Sequence, residues 1–231
     1  MEIFGMEKLS LVDYDGKVAC TLFTATCNFR CGFCHNSPLV TKTHTLAPMN
    51  NDEIFSFLKK RSGILEGVCI SGGEPTLQKD LPEFIKKIKE LSYSVKLDTN
   101  GTNPEMVKYL YENGLVDYFA IDIKNDKESY PEIIGVKNFN TSALEKTVDY
   151  LISNVKDYEF RTTLISEYHK KENIEKIASW IKGAKKYRMQ KFIPSENCIE
   201  NGLHEISEEI AKSYLDVVSP FVLDAGLRGY W

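Results

Sequence analysis

No stretch of the 231 residues stays apolar for long enough to cross a bilayer. The start, Met1-Glu2-Ile3-Phe4-Gly5, has neither the basic nor the apolar part of a secretory leader. A cytoplasmic location is expected. Neither sign of charge is in large excess: 29 Lys and Arg against 33 Asp and Glu leave a formal net charge of −4. A general binder of nucleic acid or of a membrane surface needs a basic excess, so neither partner is expected. There is no internal repeat, low-complexity tract or Pro/Gly-rich linker. Residues 1–231 are therefore expected to form a single domain, long enough for one full α/β core. His44, His169 and His204 show no metal spacing with one another, and the chain has no P-loop, no H-E-x-x-H and no G-x-S-x-G.

What the chain does have is cysteine. Of six, three are gathered in Thr26-Cys27-Asn28-Phe29-Arg30-Cys31-Gly32-Phe33-Cys34-His35-Asn36. A cytosolic chain keeps its thiols reduced, so clustering favours metal over disulfides. Cys27, Cys31 and Cys34 leave gaps of three and two residues. They are one ligand short of saturating an iron–sulfur cluster or a structural zinc, and an open position is what a catalytic centre needs. Asn28 and Gly32 suit a tight loop that turns the thiols inward. Phe33 sets an aromatic surface beside the open position. A redox dithiol and an incomplete zinc knuckle are the other readings of the triplet. Cys20 and Cys69 sit in apolar runs and read as core residues; Cys198 lies in a polar loop.

Along the chain, apolar strand-like runs alternate with amphipathic helical segments, the pattern of parallel βαβ units. Strands are expected at 17–24, 68–70, 94–97, 118–123, 159–164 and 189–193. Helices are expected at 51–61, 79–91, 104–112, 142–154, 173–183 and 207–218. Six such units predict an α/β fold, a partial (β/α)6 TIM-like barrel with parallel strands.

In parallel α/β folds, chemistry collects at the carboxyl ends of strands. The cysteine loop follows the first expected strand, and Gly72-Gly73-Glu74-Pro75 the second. Asp98-Thr99-Asn100-Gly101 follows the third, and Asp122-Ile123-Lys124 closes the fourth. Two glycines let backbone approach a ligand closely, and Glu74 can then offer a carboxylate. Asp122 and Lys124, two residues apart, share one face of a strand. Each motif alone has a plainer explanation: a strand-to-helix turn, an Asx turn, a strand-end salt bridge. Their convergence on one set of strand ends argues for a site.

The C-x3-C-x-aromatic-C motif resembles the cluster motif of the radical S-adenosylmethionine (SAM) enzymes. His35-Asn36 resembles the subgroup that activates glycyl radical enzymes. The lead-in Ser10-Leu11-Val12-Asp13-Tyr14-Asp15-Gly16-Lys17 resembles the short activating proteins of anaerobic ribonucleoside-triphosphate reductase. The resemblance covers most of the chain and thins after about Pro194. It implies a [4Fe-4S] cluster on Cys27, Cys31 and Cys34, with SAM chelating the fourth iron. It implies a SAM pocket of Phe33, Gly72, Gly73, Glu74, Thr99, Asn100, Asp122, Lys124 and Arg161. A monovalent cation near Asp98 and Asp122 is a further implication. No side chain need act as a general acid or base, since the chemistry is centred on the cofactor. The products implied are methionine and a 5′-deoxyadenosyl radical that takes a hydrogen from a glycine of the partner. Partners would be that glycyl radical enzyme and a low-potential electron donor such as flavodoxin or ferredoxin. Other readings are a radical SAM enzyme acting on a small molecule or peptide, and a non-catalytic iron–sulfur electron-transfer module. Activating proteins of the pyruvate formate-lyase type tend to carry a histidine near the end of the sixth strand. Here Phe192-Ile193-Pro194-Ser195 has none.

Overall fold

The computed structural model describes residues 1–230, and the chain divides into two compact units. The first holds residues 1–28, 36–99 and 103–119. Its strands are β1 (Gly5–Ser10), β2 (Ala19–Thr24), β3 (Gly67–Gly72) and β4 (Ser94–Thr99). Its helices are α1 (Ser37–Thr41), α2 (Asn51–Lys60), α3 (Leu81–Glu90) and α4 (Pro104–Glu112). β1 runs antiparallel to β2. β2 and β3 run parallel with Ala19 opposite Gly67 and Thr24 opposite Gly72, and β3 and β4 are also parallel.

Helix starts follow their caps. The Asn50 side chain accepts from Asp52 N–H and caps α2. Asn103 caps α4, where Pro104 needs no hydrogen-bond partner for its nitrogen. On α3 the buried residues Leu81, Phe84, Ile85 and Ile88 recur at helical spacing, which fixes the face turned to the strands.

The second unit holds residues 29–35, 100–102 and 120 onward. β5 (Tyr118–Asp122) begins in the first unit and ends in this one. After it come α5 (Tyr130–Ile133), α6 (Ser142–Asn154), β6 (Tyr158–Leu164), α7 (Lys171–Trp180), β7 (Lys186–Lys191), α8 (Glu208–Val218) and β8 (Asp224–Arg228). β6, β7 and β8 are parallel neighbours. Buried Leu144, Val148 and Leu151 on α6, and Ile174 and Ile177 on α7, show the same helical periodicity.

The eight strands form one mostly parallel sheet in chain order. β2 to β7 are each followed by a helix, which gives the six expected β/α units of a partial TIM-like barrel. The expectation missed the two flanking strands. β1 is largely exposed and β8 is half-buried with a central Gly226, so neither carries an apolar alternation to read.

The parallel pairing of β2 with β3 continues past both strands. Gly73 N–H donates to Thr24 O at 2.9 Å, and Glu74 N–H to Thr26 O at 2.7 Å. A Cβ on Gly73 would fall far inside contact distance of Thr26 O, and Gly72 sits at φ +113°, where other residues are strained. Both glycines are thus required by the approach of one backbone to another. Gly73→Ala is expected to cost about 2–3 kcal/mol, the scale of overpacking a closed site. Urea unfolding of the metal-free chain reads it.

Candidate active site

In the first unit the carboxyl ends of β2, β3 and β4 carry a dense set of polar bonds. Glu74 is fully buried. Its Oε1 accepts from Thr76 N–H at 3.0 Å, Thr76 Oγ1 at 2.5 Å and Thr99 Oγ1 at 2.6 Å. Glu74 therefore ties the turn after β3 to the end of β4, and Thr99 serves it as a donor. Asn36, two residues past the last motif cysteine, donates from Nδ2 to Gly72 O at 3.2 Å. Asp98 lies 2.7 Å from the Lys96 ammonium and accepts from Ser71 Oγ at 3.2 Å. Lys96 is buried and also donates to Asp13 O at 2.6 Å. A cation seat at Asp98 would compete with this built-in ammonium. Cys27, half-buried, lies in this unit.

The second unit holds Cys31, buried, and Cys34, half-buried. Their segment is firmly anchored. Cys34 N–H donates to Cys31 O at 3.1 Å, and Arg30 N–H to Ile134 O at 2.8 Å. Phe29 packs edge-on to Phe139 with ring centres 5.3 Å apart. Gly32 O accepts from Glu200 N–H at 2.8 Å, and the Glu200 side chain fills the space a Cβ on Gly32 would need. The exposed His35 stacks on Phe192 at 5.7 Å and donates from Nε2 to Ile193 O at 2.8 Å. The segment after β7, which has no histidine of its own, thus receives the ring of His35. Asn100 forms an Asx turn, accepting from Thr102 N–H and Oγ1.

At the end of β5, Asp122 bridges two cations. Its Oδ1 accepts from Arg161 Nε at 3.1 Å and its Oδ2 from Lys124 Nζ at 3.0 Å. Lys124 lies 5.4 Å over the Phe33 ring, which places the cation, the carboxylate, Arg161 and Phe33 together as the sequence suggested. Burial alone would raise the Asp122 carboxyl, but Arg161 and Lys124 outweigh it and bring it down to about 2. Burial works against the Lys124 charge, while Asp122 and Cys31 overcome it and push that pKa above its ordinary value. Sequence reasoning missed the groups that hold this segment. Tyr130 is fully buried, accepts from Lys124 N–H at 3.1 Å and donates to Asp122 O at 3.2 Å. Thr162 Oγ1 donates to Ile123 O at 2.6 Å. The one signal was the apolar setting of these hydroxyls, which a buried group must satisfy with a bond.

None of the six cysteines is in a disulfide. Among the described residues no three His, Cys, Asp or Glu side chains are drawn together as a metal ion would require. The donor set still suits an iron–sulfur cluster: three thiols outside any disulfide in one short stretch of sequence, leaving one iron for another ligand. Cys20 and Cys69 are the contrast. Both are fully buried in β2 and β3, and burial pushes the Cys20 thiol up to about 12, which keeps it an inert core residue.

This chain belongs to the radical SAM superfamily, whose family profile matches residues 21–182, a span containing the cysteine, G-G-E-P and D-x-K motifs. Membership brings a [4Fe-4S] cluster and SAM as cofactors. Among its relatives is a provisionally named glycyl-radical enzyme activating enzyme of Methanocaldococcus jannaschii, 34% identical over 94% of each chain. The fold is also that of a domain of pyruvate-formate lyase-activating enzyme from Bacteroides vulgatus. That match has TM-score 0.57 and 20% identity, and covers 71% of this chain and 99% of that one. SuiB of Streptococcus suis bound to SAM superposes at TM-score 0.70 and 15% identity, over 89% of this chain and 49% of that one.

Asp122 gives a pH signature. Its folded pKa of about 2 lies below the ordinary 3.8. The stabilisation is therefore whole above about pH 5 and is lost as pH falls toward 2. The difference corresponds to about 2 kcal/mol. Urea unfolding of the metal-free chain across that range should show the loss, and Asp122→Asn should flatten that part of the profile.

Proposed function

We propose that the chain reductively cleaves SAM and generates a glycyl radical on a partner enzyme, anaerobic ribonucleoside-triphosphate reductase. The observation that carries the cofactor half is the gathering of two cations at the end of β5. Lys124 and Arg161 both hold the Asp122 carboxylate, with Lys124 over Phe33. Such a pair of cations has the sign and donor geometry to receive the methionine carboxylate of SAM. A glycyl radical enzyme as partner is supported by the relative 34% identical across nearly its whole length, named as a glycyl-radical enzyme activating enzyme; the choice of the reductase rests on the resemblance of the lead-in Ser10 to Lys17.

In this reading Cys27, Cys31 and Cys34 hold the cluster, which when bound supplies the low-potential electron for SAM cleavage. Lys124 and Arg161 receive the carboxylate of SAM, and Asp122 keeps their two charges at fixed separation. Phe33 shields the Lys124 ammonium from water on one side. Gly72 and Gly73 present backbone toward the amino end of the ligand, with Glu74 and Thr99 holding that turn and Asn100 the next. Residues 1–231 act as one radical SAM domain in the cytoplasm, with flavodoxin or ferredoxin as the reductant. The partner's glycine loop completes the enclosure, since a radical must be kept from water and stray hydrogen donors.

Mixing the reconstituted protein, SAM, a reductant and the reductase without oxygen should give a glycine-centred doublet in the electron paramagnetic resonance spectrum. Production of 5′-deoxyadenosine coupled to a small metabolite, with no such doublet, would replace the activase by an enzyme of small molecules. Lys124→Ala should keep the cluster and weaken SAM binding about ten- to a hundredfold, the worth of a hydrogen bond to a charged group. Equilibrium dialysis against labelled SAM measures it.

A further inference from the structure

The Asp122–Lys124 segment is a strand end, where backbone leaves the sheet and needs other partners. Tyr130 and Thr162 hold its first part. The Lys124 carbonyl is held by a residue forty-five positions away. His169 Nε2 lies 2.9 Å from Lys124 O, and its Nδ1 lies 3.0 Å from Ile165 N. A backbone N–H can only donate and a carbonyl can only accept. Nδ1 is therefore bare and Nε2 carries the proton, so both ends of the ring require the same tautomer. The opposite tautomer would turn a bare Nε2 toward the Lys124 oxygen, lone pair against lone pair. Ile165 O, 3.2 Å from Nδ1, already accepts the His169 main-chain N–H at 2.9 Å. Tyr214 of α8 donates to His169 O at 3.1 Å, which fixes the residue from a third side.

We infer that His169 is a positioning residue for the SAM pocket, a neutral Nε2–H imidazole that links the exit of β6 to the Lys124 main chain and so sets where the ammonium stands. The inference rests on the assignment of Lys124 to the SAM carboxylate. His169 is buried with 2% exposure, and burial lowers its pKa, which keeps the ring neutral. A neutral ring suits the place. A third cation beside Lys124 and Arg161 would repel both, while a donor–acceptor pair without charge ties two strand exits and leaves the local field unchanged.

Two measurements test this. NMR of isotope-labelled histidine in the metal-free chain should show His169 as the Nε2–H tautomer at neutral pH. An Nδ1–H or charged ring overturns the inference without touching the cluster or SAM. In the reconstituted protein, His169→Leu should weaken SAM binding about tenfold at unchanged iron content, on the scale of one strong hydrogen bond. His169→Gln, whose amide can both donate and accept, should recover most of that loss. Wild-type affinity in His169→Leu alongside a weakened Lys124→Ala overturns the positioning role and leaves the pocket standing. Unchanged affinity in both variants overturns the Lys124 assignment and the inference with it. A His169→Gln variant as weak as His169→Leu also overturns it, since the argument lies in the paired bonds and not in the ring's volume.

Discussion

The Asp122 carboxylate is shared by cations from two chain segments, Lys124 just beyond β5 and Arg161 within β6. Three charges held away from bulk water lose hydration, and the attraction among them recovers it only if the geometry is kept. That requirement reaches outward through the unit. Asp122 O is bonded by Tyr130, Ile123 O by Thr162 and Lys124 O by the His169 ring. None of these three partners carries a charge that would disturb the triad. The cost of misplacing any one is felt as an unpaired charge, so the segment is stiffer than its position just outside a strand suggests.

The β/α units were legible because their signals are local. Helix α4 at Pro104–Glu112 and α6 at Ser142–Asn154 match the expected spans, each with apolar positions at helical spacing and, for α4, a proline at its first residue. β1 and β8 were not legible, since a half-exposed strand of mixed residues has no period to detect. The same division runs through the site. Asp122 and Lys124 could be named because charged residues at strand ends in an α/β pattern are unusual; Arg161, in the middle of β6, was reached only through the family resemblance. Tyr130, Thr162 and His169 could not be named. Their work is done on backbone carbonyls and amides of residues up to forty-five positions away, and no short motif encodes a bond of that span.

Glu74 shows why a motif can be recognised without its physics being understood. The sequence suggests a carboxylate offered to a ligand. The folded chain turns its Oε1 inward onto Thr76 and Thr99. The two glycines before it are explained by Thr24 and Thr26 of the neighbouring backbone. Such a turn is a rigid support that leaves backbone atoms, rather than the acidic side chain, as the polar surface at the end of β3.

The thiols complete the argument from environment. Cys20 and Cys69 lie fully buried in the strands that lead to the site, and burial pushes the Cys20 thiol up to about 12. The motif cysteines sit past the end of β2, in a loop secured by Phe29, Arg30 and the Gly32 carbonyl. Anchoring acts on the backbone there and leaves Cys27 and Cys34 only half-buried, with Cys31 buried. The Cys31 sulfur and the Asp122 carboxylate both favour the Lys124 charge against the cost of burial. The end of β5 and the cysteine segment of the same unit are thus coupled through one ammonium rather than through a shared motif.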